Sequence, residues 1–212
     1  MTLPTEPIGS LPRSPALQEG MQAAAAGRIS SEELEVLFDE AVRDTLRRFE
    51  ATGSPVVTDG EQRKQSFATY SVAGLNLTGG GVTIPFADGH ARQLPVLATG
   101  PFRLATPAWT YLDAARGETS AQLKQAVISA SAISLMYPSD GIAGYPRETF
   151  LNDLVAEAAS EIRGCIERGA IVQIDFTEAR LSLKLDPSAG LLSAFVDLNN
   201  RVLGELTDEE RA

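Results

Sequence analysis

Asp175 and Glu178 are the first carboxylates in this chain placed to do chemistry, because they close the apolar run Ala170-Ile171-Val172-Gln173-Ile174. A β-branched run ending abruptly in acids is the pattern of a buried parallel strand whose C-terminal end opens into a site. Ser54-Pro55-Val56-Val57-Thr58 repeats it and ends in Asp59-Gly60-Glu61. An acid at a strand end also serves simply to cap the loop that follows. Recurrence on a second strand raises the functional reading above that one, and such a rim suits a cationic group, an amine or a metal. Ile8-Gly9-Ser10 adds a glycine, which permits close backbone approach, and a serine hydroxyl, although most such tripeptides are ordinary turns.

The remaining candidates are weaker. Tyr137-Pro138 follows the strand-like stretch Lys124–Ser131 and could bring a ring to the same rim, a core tyrosine being the default reading. His90 lies in the polar stretch Asp88-Gly89-His90-Ala91-Arg92 and reads as a loop residue. Cys165 falls in an apolar helical stripe and reads as core. Gly79-Gly80-Gly81 lacks the spacing and the following helix of a phosphate loop. With 1 His and 1 Cys, no Ser-His-Asp or Cys-His set is convincing, and a zinc site of nitrogen and sulfur ligands cannot be completed without carboxylates.

The elements that must position these residues follow from periodicity and punctuation. Ser30-Ser31-Glu32-Glu33 is a capping box, with Ser30 as N-cap and Glu33 answering it. The helix it starts buries Leu34, Leu37, Phe38, Ala41, Val42, Thr45, Leu46 and Phe49, and Gly53 stops it. Residues 107–116 predict a short helix. Pro146 opens the longest one, over 147–168, with Phe150, Leu151, Leu154, Val155, Ala158, Ile162, Cys165 and Ile166 as its apolar stripe. Residues 188–206 predict a last helix. Strands are expected at 54–58, 124–131 and 170–175, with weaker ones near Ile8 and over 93–99, and short hairpin strands around 82–86.

This alternation implies an α/β fold with a parallel sheet. The expected class is a TIM (β/α)8 barrel, incomplete, with about five of the eight strands. Residues 1–212 read as a single domain. Apolar residues make up 43% of the chain, enough for a sizeable core. The net charge of −10 disfavours nucleic acid as a partner. No apolar run is long enough to span a membrane, and no signal peptide is evident. The single cysteine excludes an intrachain disulfide and suits a reducing cytoplasm.

Taken together, these stretches resemble the cobalamin-independent methionine synthase family: its catalytic barrel and shorter stand-alone relatives. Ile8-Gly9-Ser10, followed by Leu11-Pro12-Arg13, is similar to the family's N-terminal strand motif, which implies contact with the amino acid part of homocysteine. Asp59-Gly60-Glu61 is similar to its Gly-Glu, which implies that Glu61 binds the substrate amine. Gln173-Ile174-Asp175 is similar to its Gln-Ile-Asp strand, which implies a further substrate contact through Asp175. The departures are informative. The family continues Asp-Glu-Pro-Ala, where this chain has Asp175-Phe176-Thr177-Glu178. Its folate-contacting glutamate aligns with Leu181, and its folate-stacking tryptophan aligns near Tyr137, a donor-side position.

These departures argue against a polyglutamylated folate as the methyl donor. The resemblance implies a methyltransferase of methionine biosynthesis that uses zinc and no cobalamin. The family's zinc ligands, a His, two Cys and a Glu, have no counterpart in this chain, which is therefore expected to be a truncated, N-terminal portion of the barrel and inactive in isolation. Alternatives are an alkyl transferase to another thiol such as coenzyme M, a non-catalytic remnant that binds an amino acid or partner, and a barrel enzyme of the porphyrin-processing decarboxylase type. An incomplete barrel has two open sheet edges, which predict self-association.

Overall fold

The computed structural model describes residues 5–85, 89 and 91–212. In chain order its elements are α1 (Pro15–Ala25), α2 (Ser31–Ala51), β1 (Val56–Val57), a 3-10 turn (Tyr70–Val72), β2 (Leu77–Thr78), β3 (Thr83–Pro85), β4 (Ala91–Gln93), β5 (Val96–Leu97), α3 (Trp109–Arg116), β6 (Gln122–Ile128), α4 (Ala130–Ser134), α5 (Arg147–Ile166), β7 (Ile171–Asp175), α6 (Ala179–Leu185), α7 (Gly190–Gly204) and α8 (Asp208–Arg211). The chain gathers into two compact units. The first comprises Met1–Phe67, Ala108–Ala126 and Gly164–Gln173; the second comprises Ala68–Pro107, Val127–Arg163 and Ile174–Ala212.

In the first unit, α2 forms as its sequence requires. The Ser30 side chain accepts from the Glu33 N–H, and the Glu33 carboxylate accepts from the Ser30 N–H at 2.8 Å. Phe38, Val42, Thr45 and Leu46 are buried along one face, and Leu34, Leu37, Ala41 and Phe49 are half-buried beside them. Helix α1 packs on α2. It starts at Ser14, whose hydroxyl accepts from the Leu17 N–H, with Pro15 in the first turn. The three-stranded sheet has the order β1-β6-β7, and β1 pairs parallel with β6 through Val56–Gln122 and Val57–Leu123. Every residue of β6 after Gln122 is buried, whereas β7 is half-buried, with Ile171 exposed. Gly164, in the last turns of α5, lies under the Trp109 ring: a Cβ there would fall 2.2 Å from Trp109 Cε3.

The second unit holds two small antiparallel pairs, β2 with β5 and β3 with β4. Helix α7 packs on α4 and on α6. Phe150 of α5 is the centre of an aromatic cluster, 5.1 Å from the Tyr137 ring, 5.5 Å from Phe102 and 6.3 Å from Tyr145 between centroids. The apolar stripe predicted on α5 is the buried one: Phe150, Leu154, Val155, Ala158, Ile162 and Cys165 are buried, and Leu151 and Ile166 half-buried.

The α/β class holds, but three expectations do not. No strand forms at Ile8, which lies beside a bend and is 73% exposed. The stretch 93–99 is divided between β4 and β5, both antiparallel, so it adds nothing to a parallel sheet. Among the described residues the sheet containing β6 therefore has three strands, not five. Helices α1 and α6 were not expected. No helix among the described residues is long and apolar enough to cross a membrane.

Candidate functional site

Glu61 follows β1 on a turn that places its backbone in the left-handed region, with φ at 55°. Asp59 stabilises that turn by accepting the Glu61 N–H at Oδ1, at 2.8 Å. The Glu61 side chain is 3% exposed and lies against Gly9: a Cβ at residue 9 would come within 2.5 Å of Glu61 Oε1 and 3.2 Å of the Ala126 Cβ. Glycine at position 9 is thus what lets the N-terminal segment close over this carboxylate. Two of the sequence-predicted motifs, far apart in the chain, meet here. The Leu11 N–H donates to the Gly60 carbonyl at 2.9 Å, and Gln62 Nε2 donates to the Leu11 carbonyl at 3.3 Å. Ile8 and Ser10 flank the buried Gly9 with exposed side chains.

Two buried lysines complete this region, and neither stood out in the sequence as a site residue. Lys64, 2% exposed, places Nζ 3.8 Å from Glu61 Oε2 and donates to the Ala126 carbonyl at 2.8 Å. Its ammonium also lies 5.9 Å from the Tyr111 ring centroid. Lys124, on β6, donates to the Pro7 carbonyl at 3.0 Å and to Gln173 Oε1 at 3.2 Å, and pairs with Glu6 at 2.7 Å. Gln173 of the Gln-Ile-Asp motif thus anchors the residue that holds the start of the Ile8-Gly9-Ser10 segment. The available signal was lysine inside the buried run Leu123–Ile128, since a buried ammonium requires partners.

Asp175 and Tyr137 lie in the second unit. Asp175, half-buried at the end of β7, accepts from the Ser129 N–H through its main-chain carbonyl at 3.3 Å. Glu178, 4% exposed, accepts the Ser129 hydroxyl at 2.7 Å and also that of Ser131. Asn199 of α7 clasps Ser131, donating to its hydroxyl at 2.8 Å and accepting its N–H at 3.2 Å. Burial pushes the Glu178 carboxyl above its ordinary range, the Asp175 charge acts in the same direction, and the serine bonds oppose the shift. Tyr137 is buried, donates to the Tyr145 carbonyl at 2.6 Å and carries the Arg147 guanidinium 5.7 Å from its ring centroid. It lines a cleft of about 660 Å³ with the Gly79–Gly81 turn, Leu97, Asp140 and Arg147. The Tyr145 hydroxyl, buried and donating to Asp153 at 2.7 Å, has its pKa pushed up to about 12.

The donor set does not fit the zinc that the sequence resemblance implies. Among the described residues no three of His, Cys, Asp and Glu lie close enough to hold a metal ion. Cys165 is fully buried in α5. His90 lies outside the described residues.

The class defined by these features is an α/β protein with carboxylates at the ends of its sheet strands. Comparison with known proteins narrows it. No family model matches the chain. Over 68 residues, 32% of the chain, it is 43% identical to a methionine synthase of Sulfurisphaera tokodaii, and over an equal length 38% identical to that of Sulfolobus acidocaldarius. The match spans 20% of the length of each of these relatives. The fold is similar to that of a vitamin-B12 independent methionine synthase, described as putative, from Listeria monocytogenes, with a TM-score of 0.68, 19% identity and coverage of 98% of this chain and 64% of that one. It is also similar to a B12-independent methionine synthase from Shewanella sp. W3-18-1, in complex with selenomethionine, with a TM-score of 0.63, 19% identity and coverage of 85% and 52%. A stretch of sequence thus resembles methionine synthases, and the fold, separately, resembles that of B12-independent methionine synthases.

Proposed function

We propose that this chain carries the amino-acid-binding part of a methyl- or alkyl-transfer protein of the cobalamin-independent methionine synthase type, built on an incomplete TIM barrel. The observation that carries this reading is the Glu61 carboxylate packed against Gly9. It joins two of the three motifs on which the resemblance rests. Glu61 takes the ammonium of a thiol amino acid, homocysteine in the first instance. Ile8, Gly9 and Ser10 contribute main-chain groups to the same head group. Asp175 and Tyr137, the other residues that the resemblance singles out, belong to the second unit.

The chain's own residues account for binding and orientation. An ionised carboxylate makes a charge-assisted hydrogen bond to an ammonium group, about twice as strong as a neutral one. Activation of the acceptor thiol is a different task. A free thiol has a pKa of about 8.5, so thiolate must be generated before it attacks a methyl carbon. In the family zinc serves that purpose. The residues described here do not form such a site, and no step of the present reading passes through one. A non-catalytic amino acid binder is the second reading, favoured by the same observation about the donor set.

The test is titration calorimetry with L-homocysteine, L-methionine and coenzyme M against the wild-type chain and Glu61→Gln. The wild type is expected to take up the amino acids and to ignore coenzyme M. Glu61→Gln should lose on the order of 10- to 100-fold in affinity, the worth of one hydrogen bond to a charged group. Equal binding by wild type and Glu61→Gln, or uptake of coenzyme M alone, overturns the assignment.

A further inference from the structure

Arg13 lies one residue before the N-cap of α1, and the start of that helix fixes its backbone: Ser14 caps the Leu17 N–H, and Gln18 Nε2 donates to the Arg13 carbonyl at 2.9 Å. Its side chain reaches the turn after β1. Nε donates to the Gln62 carbonyl at 3.0 Å; Nη2 donates to the Glu61 carbonyl at 3.1 Å and to the Lys64 carbonyl. One guanidinium therefore holds three main-chain acceptors belonging to residues that are each 2–3% exposed. The turn needs such support. Glu61 sits at positive φ, a strained backbone conformation for a non-glycine residue. Within the turn the Lys64 N–H donates to the Glu61 carbonyl at 3.2 Å and the Glu61 N–H to Asp59 Oδ1 at 2.8 Å, and Arg13 adds its three bonds from outside it.

We propose that Arg13 is a positioning residue for the Glu61 site: by clamping the main chain of residues 61–64 it sets the Glu61 carboxylate against Gly9 and Lys64 beside it. The proposal rests on the reading of Glu61 as the amine-binding group and deepens it. A guanidinium is suited to this role because its planar fork presents five donors in fixed directions. A lysine keeps the charge, but its three donors share one nitrogen on a flexible stem and cannot reproduce the spacing of the fork. Charge alone is therefore not the requirement, and Arg13→Lys is the informative variant.

Two measurements test the clamp. Hydrogen exchange at the amides of residues 60–65 reads the order of the turn without any ligand. Calorimetry with L-homocysteine reads its consequence. Arg13→Lys and Arg13→Ala are both expected to speed exchange across that turn and to weaken homocysteine binding about tenfold or more. Millimolar methylguanidine should recover most of the loss in Arg13→Ala and none in Arg13→Lys, whose ammonium still occupies part of the space. Ser30→Ala, which removes the capping box at the start of α2, supplies a destabilised control whose affinity stays within about twofold of wild type. Arg13→Lys binding as tightly as wild type, with unchanged exchange, overturns the clamp while leaving Glu61 in place, provided Glu61→Gln has lost binding. If the wild-type chain takes up no homocysteine, the reading of Glu61 falls and this proposal falls with it. If Arg13→Ala does not fold, Arg13→Lys alone decides.

Discussion

Glu61 and Glu178 are almost equally buried, at 3% and 4% exposure, yet their surroundings differ. Glu61 has a lysine ammonium 3.8 Å away. Glu178 is met by the hydroxyls of Ser129 and Ser131 and by the charge of Asp175, and burial raises its pKa above the ordinary 4.5. For a carboxyl raised in the fold, the stability it contributes is complete below the unfolded-state value and is lost as pH climbs through the folded-state value. The melting temperature of the wild type should therefore fall relative to Glu178→Gln as pH rises above about 4.5. Thermal melts across a pH series read this directly, and parallel profiles would show that Glu178 ionises in place without cost. Of these residues, the two glutamates and Gly9 were legible from their types and positions. Lys64, Lys124 and Arg13 were not, because their roles depend on which distant main-chain carbonyls they reach.

Among the elements, α2 was readable in full because its cap, stripe and stop agree with one another. Ser30→Ala removes the side-chain acceptor of the capping box and should cost about 1 kcal/mol. In a chain of this size that is a drop of roughly 2–4 °C in melting temperature, which calorimetry can resolve. Helix α1 was missed although Ser14 and Pro15 mark its start, because Ala23-Ala24-Ala25-Ala26 and the surrounding prolines give no strong apolar period. Helix α6 was missed for a different reason. Leu181, Leu183 and Leu185 alternate as in a strand, and of these three leucines the helix that forms buries Leu181 alone, with Leu183 and Leu185 46% and 49% exposed. The Ile8 strand was expected from a motif whose neighbours turn out to be side chains and turn carbonyls rather than a paired strand. Short strands of two or three residues, such as β1 to β5, are set by their pairing partners and leave little periodicity to read.

At the scale of the whole molecule, two features oppose each other. Among the described residues the sheet order leaves β1 and β7 as edges, and Ile171 on β7 is 43% exposed, which favours association of chains. The net charge of −10 favours keeping them apart. Added salt screens the second and spares the first. Sedimentation velocity should therefore show self-association that grows with ionic strength and that Ile171→Lys abolishes; a monomer at all salt concentrations would show that the edge is blunted by other means. The contact between Trp109 and Gly164 has a practical consequence of another kind. Trp109 is the sole tryptophan, and it belongs to the first unit together with Tyr111, whereas Tyr70, Tyr137 and Tyr145 belong to the second. Indole emission is accordingly a private optical signal of the unit that carries Glu61. Comparing it with the tyrosine signal or with the far-ultraviolet dichroism of the chain separates the melting of one unit from that of the other without any label.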